Sequence, residues 1–106
     1  RECTLTAFPG DVGGLEANAR RWLGQLNVAS PDDLTGFLEA AESISTDAGL
    51  EGRLLDFRSL VIGEGDAMLA GVIKKDNFTI FAKLTAPASV LATEEERFRA
   101  LCRSLR

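Results

Sequence analysis

Apolar and polar residues alternate through the run 2–8, with Cys3, Leu5 and Ala7 facing one way and Thr4, Thr6 and Phe8 the other. A period of two predicts a strand. Pro9-Gly10-Asp11-Val12-Gly13-Gly14 ends it as a turn-rich loop. Across residues 15–26 the period lengthens. Leu15, Ala19, Trp22 and Leu26 fall on one helical stripe, Leu23 widens it, and Asn27 suits the helix end. Such a stripe must pack on something, so Trp22 is expected to be largely buried. Ser30-Pro31-Asp32-Asp33 then reads as a helix start, with Ser30 as the cap. Leu34, Phe37, Leu38 and Ala41 give that helix a buried face, and Gly36 weakens it, so it should be short.

From about residue 42 the pattern returns to strands. Ser43-Ile44-Ser45 is a short one, Asp47-Ala48-Gly49 a turn, and 53–57 the next strand. Beyond a loop through Gly63-Glu64-Gly65-Asp66, the runs 67–73 and 78–84 form a hairpin around Lys74-Lys75-Asp76-Asn77. Phe78, Ile80, Ala82 and Leu84 share one face; Thr79, Phe81, Lys83 and Thr85 share the other. Pro87 opens a last helical region, and Thr93-Glu94-Glu95-Glu96 has the form of a capping box at which a helix could restart. Phe98, Leu101, Cys102 and Leu105 make its buried stripe, and Glu95 with Arg99 is an i, i+4 ion pair in the favourable order.

This order predicts an α+β domain: a mostly antiparallel sheet of about five strands flanked by helices, in an α/β/α-like sandwich. A chain of 106 residues is one domain and long enough to bury one core. With 45% hydrophobic and 26% charged residues, disorder is not expected. No run approaches the ~20 apolar residues of a membrane helix. The chain opens on Arg1 rather than Met, which reads as a processed or truncated product lacking what comes before.

Charge and chemistry then narrow the function. Net charge is −4, and the basic residues are scattered, paired only at Arg20–Arg21 and Lys74–Lys75, so no nucleic-acid face is expected. There is no histidine and no tyrosine. That removes Ser-His-Asp and Cys-His catalysis and most zinc sites. The loop from Gly10 to Gly14 has neither the Lys-Ser/Thr of a P-loop nor dinucleotide spacing. The acids show no catalytic spacing. No catalytic residue, cofactor or metal site is therefore assigned. Cys3 and Cys102, near opposite ends, would close nearly the whole chain if bridged, worth about 4–5 kcal/mol in the loop-entropy model; two buried free thiols are the favoured expectation.

What remains is a polar cluster. Asn18, Arg21 and Gln25 flank the stripe that carries Trp22, and Lys83 stands in an aromatic strand beside Phe81. Polar groups at the margin of a buried face need partners. The row is expected mainly to hold the loop from Gly10 to Gly14 and the adjacent strand; binding a partner or ligand is the functional alternative. Lys83 needs an acid, for which Asp56 is a candidate, or must reach solvent.

The segment 8–26, with its Gly-Gly turn followed by Asn18-x-x-Arg21-Trp22-x-x-Gln25, resembles an uncharacterised family of exported bacterial proteins and lipoproteins. Phe81-x-Lys83-Leu84-Thr85, Phe98 and Ser104-Leu105-Arg106 extend the resemblance along the chain. It implies a missing export signal and at least one preceding strand, an envelope location (periplasmic or membrane-anchored), and an architecture similar to PsbP-like photosystem subunits. The function expected is that of a non-enzymatic envelope domain acting through a protein partner. The alternative is a small-ligand or anion-binding domain with its site near the loop from Gly10 to Gly14. A deep pocket lined by Asn18, Arg21 and Lys83 would favour the alternative, and a flat exposed apolar patch the first reading.

Overall fold

The computed structural model describes residues 2–10, 14–61 and 65–106. Strand β1 (Glu2–Pro9) leads to helix α1 (Gly14–Gln25) and the short helix α2 (Leu34–Glu39). Strands β2 (Glu42–Ser45) and β3 (Glu51–Asp56) follow, then one 3-10 turn at Arg58–Leu60. The hairpin β4 (Asp66–Lys75) and β5 (Phe78–Pro87) feeds helix α3 (Ala88–Arg103). All five strands pair antiparallel in the order β1-β5-β4-β3-β2. The first strand of the chain therefore crosses to the far side of the last hairpin, and β1 and β2 are the two edges.

Strand alternation divides the core into two layers. Leu69, Ile73, Ala82 and Leu84 face α3, where Leu91, Phe98 and Cys102 cover them. Leu55, Met68, Val72 and Phe81 face the other way, under Trp22 and Leu23 of α1 and Leu34 and Leu38 of α2. Trp22 has no exposed surface, as its stripe predicts, and meets Phe81 and Phe57 edge-on at 5.3 and 6.4 Å between centroids. α1 ends on Asn27 in the left-handed conformation (φ 59°), with the Val28 N–H donating back to the Leu23 carbonyl at 2.9 Å.

Several local expectations need correction. α2 starts at Leu34, and its cap is Asp33, whose side chain accepts from the Gly36 N–H at 3.0 Å; the acid is the stronger acceptor and Ser30 is not used. α3 is continuous from Ala88, so the Thr93 box restarts nothing. The Thr93 hydroxyl instead donates to the Val90 carbonyl at 2.8 Å. The hairpin turn narrows to Asp76-Asn77, with Asp76 left-handed (φ 51°), because Lys75 and Phe78 still pair. Cys102 is buried but Cys3 is exposed, and both are free thiols: β1 is an edge that α3, lying across β4 and β5, does not cover. The predicted loops fall partly outside the described residues, at 11–13 and 62–64.

Candidate functional site

The polar row on α1 separates into parts. Asn18 is buried, donates to the Gly14 carbonyl at 2.7 Å, and accepts from the Arg21 guanidinium at 2.7 Å. One amide thus bridges the first turn of α1 to an arginine one turn further on. Gln25 is exposed, and its side chain forms no hydrogen bond among the described residues. Lys83, on β5, reaches over Trp22, with its ammonium 5.4 Å from the ring centroid. Burial lowers the Lys83 pKa from its ordinary value, and the Arg21 charge lowers it further. Asp56 is not its partner. Asp56 pairs with Leu69 and so lies on the α3 face, whereas Lys83 is on the α1 face. The Trp22 Nε1–H is buried without a hydrogen-bond partner, so the indole is held by packing and by the cation above it.

Asp56 belongs to an ion-pair network on the α3 side. Arg58 binds Asp56 at 2.7 Å and Glu95 at 2.6 Å; Arg99 binds Glu95 at 3.1 Å and also grips Glu42. The network ties β2, β3 and the 3-10 turn to α3. Only its Glu95–Arg99 link was visible from sequence spacing. The hydrogen bond from Arg58, then that from Arg99, lowers the Glu95 pKa, and Arg99 does the same for Glu42. At Asp56 burial acts upward, but the side-chain and backbone donors of Arg58 outweigh it.

A groove of about 490 Å³ opens between the start of α1 and the sheet. Leu15 and Asn18 form one wall, Phe81 and Val72 lie on its floor, and Arg53, Glu51 and Lys74 stand at its polar end. Arg53 is partly committed, donating to the carbonyls of Glu39 and Ala41 at 3.2 and 3.1 Å. Of the predicted cluster only Asn18 lines this space; Arg21, Trp22, Gln25 and Lys83 do not. Among the described residues no group of acids and cysteines is placed to hold a metal ion, and no helix is long and apolar enough to cross a membrane.

The second feature is the free edge of β1. Its eight residues are exposed apart from half-buried Thr4. Leu5 is 54% and Phe8 37% exposed, on opposite faces, and neighbouring Phe78 is 50% exposed. The hairpin fixes which backbone groups are free. A two-residue turn closes on a hydrogen-bonded pair, here Lys75 and Phe78, so alternate residues Thr79, Phe81 and Lys83 bond toward β1. Their partners are Phe8, Thr6 and Thr4. The Gly10 N–H bond to the Asn77 carbonyl keeps the same phase. Hence Cys3, Leu5 and Ala7 aim their N–H and C=O groups outward. Pro9 falls in the same outward phase, where its missing N–H costs no ladder bond. Edge strands are ordinarily blunted by charge, proline, bulge or cover, and here Pro9 blunts only the C-terminal end of β1. Glu2 is the only ionic side chain in β1, and the pairing with β5 runs without a bulge from Glu2 to Pro9. Sequence reasoning missed this edge because strand order is a long-range property; the scarcity of charge in 2–9 was the available signal.

No protein-family model matches the chain, and no match was found among curated proteins or solved structures.

Proposed function

We propose that this chain is a non-enzymatic domain of the bacterial cell envelope that engages a protein partner along β1. The observation that carries the reading is the open middle of this edge: between Glu2 and Pro9 the strand has outward backbone groups at Cys3, Leu5 and Ala7, no charge and no bulge, and Leu5 and Phe8 are exposed. Strand addition supplies main-chain hydrogen bonds along such an edge, and the exposed side chains on alternate faces set which partner fits. The envelope location rests on the resemblance of the Asn18-x-x-Arg21-Trp22-x-x-Gln25 segment to exported proteins. The geometry supports a structural role for Asn18, which joins the Gly14 carbonyl to the Arg21 guanidinium through its two amide atoms.

A photo-reactive residue placed at Leu5, and separately at Ser43 on the opposite edge, tests this in living cells. A discrete adduct from position 5 and none from position 43 is expected. No adduct from position 5, or the same adducts from both, contradicts the reading.

A second reading rests on the groove beside Asn18, where Arg53 and Lys74 outnumber Glu51 beside an apolar floor, a lining that suits a small acid with an apolar body. Chemical-shift changes at Asn18, Val72 and Phe81 on titration with short-chain carboxylates, lost in Lys74→Ala, would support it.

A further inference from the structure

We infer that the partner at β1 is a second copy of this chain, paired antiparallel about a twofold axis at Leu5 so that two five-stranded sheets become one. The inference rests on the partner reading above and gives that partner its identity.

The backbone phase narrows the register, and the number of outward groups used favours one axis. Outward groups stand at Cys3, Leu5 and Ala7, and a twofold axis at Leu5 uses all of them: Leu5 meets Leu5 of the second copy, and Cys3 meets Ala7. Each such pair exchanges both of its backbone hydrogen bonds. Moving the axis along the strand to Ala7 places Leu5 against Pro9, which has no N–H to give. A self-complementary patch of this kind is what a closed twofold interface requires.

The side chains agree with that register. On the α3 side, Leu5 from each copy would pack together, flanked by Ala7 and Cys3, covering the leucine that is 54% exposed in the single chain. On the α1 side, Thr4 would stand opposite Thr6, a favourable cross-strand pair. Charge agrees as well. Net charge is −4, so copies repel weakly overall, yet in this register Glu2 lies opposite Phe8 rather than opposite its own copy. No like charges confront each other along the seam.

Sedimentation equilibrium of the purified chain, from micromolar to millimolar concentration, tests the inference. The parent is expected to approach twice the 11.4 kDa chain mass. Leu5→Lys, at an exposed position that leaves the single-chain core intact, should weaken association at least ~10-fold, the scale of one charge or lost hydrogen bond at an interface. Leu5→Glu should do the same, and an equimolar mixture of the two variants should recover the dimer, because only an axis at Leu5 sets them face to face. Ser43→Lys, on the far edge, should associate as the parent does. A parent that stays monomeric, a Leu5→Lys variant that still dimerises, or a mixture that does not recover each overturns the inference. A monomeric parent that still gives a heavier adduct from position 5 in cells overturns self-pairing alone and leaves the partner reading standing.

Discussion

Gly71 and Cys102 share one space at the centre of the α3 layer: a Cβ built on Gly71 would stand 2.6 Å from the Cys102 sulfur. The helix therefore approaches β4 more closely than any side chain at 71 would allow. Gly71→Ala is expected to destabilise the fold by about 1–3 kcal/mol through overpacking. Cys102→Ala removes the obstacle, so the double variant should be more stable than the sum of the single losses by at least ~0.5 kcal/mol. Denaturant unfolding of the four proteins measures this. Strict additivity would show that helix and strand are not in register as described.

Acid should loosen the attachment of α3. Glu95, Glu42 and Asp56 all have folded-state pKa values below their ordinary ones of 4.5, 4.5 and 3.8, held there by Arg58 and Arg99. A carboxylate with a depressed folded pKa contributes stability that is present above its unfolded pKa and lost as pH falls through the folded one. Stability followed by urea titration should thus be insensitive to these groups near neutrality and decline below about pH 4.5. Glu95→Gln should flatten that decline. An equally steep acid loss in the variant would contradict the network's role.

Asn18→Ala should cost about 1–2 kcal/mol, because buried Asn18 is lost and the half-buried Gly14 carbonyl and the exposed Arg21 guanidinium each lose a partner. Gln25→Ala, on the exposed side of the same row, should stay within about 0.5 kcal/mol of the parent. Thermal or denaturant unfolding separates the two. Equal losses would mean that the row acts as one unit.

The two thiols should react very differently. Cys3 is exposed, whereas burial pushes the Cys102 thiol up to about 11. The thiolate is the reactive form. Native protein treated with a thiol reagent at neutral pH should take up one equivalent, at Cys3, and the second only on unfolding. Rapid native labelling of Cys102, mapped by mass spectrometry, would contradict its burial.

Much of this molecule is written locally. Alternation in 2–8 and 78–84 and the 3.6-residue stripe through Trp22 predict two strands and a helix that are all present, and the buried faces of 78–84 and of the helix hold, whereas β1 is exposed on both faces. Asn27 closes α1 through a short-range backbone requirement that composition displays. What was illegible is long-range. Nothing near Asp56 shows that it faces α3 rather than Lys83; that follows from the register Asp56–Leu69. Cys3 has the alternation of a buried residue, yet it sits on an edge that no helix covers, and only the strand order reveals it. The same holds for Arg58, whose acids lie in β3 and α3, 2 and 37 residues away.

Residue-resolved amide hydrogen exchange along β1 tests the central claim most directly. The Thr4, Thr6 and Phe8 N–H groups bond to β5 and should be protected at any protein concentration. Those of Cys3, Leu5 and Ala7 point outward and should exchange freely in dilute protein, then become protected as concentration rises and a second copy occupies the edge. Outward N–H groups that remain unprotected at the highest concentration, while their neighbours stay closed, would contradict the pairing of two copies along β1.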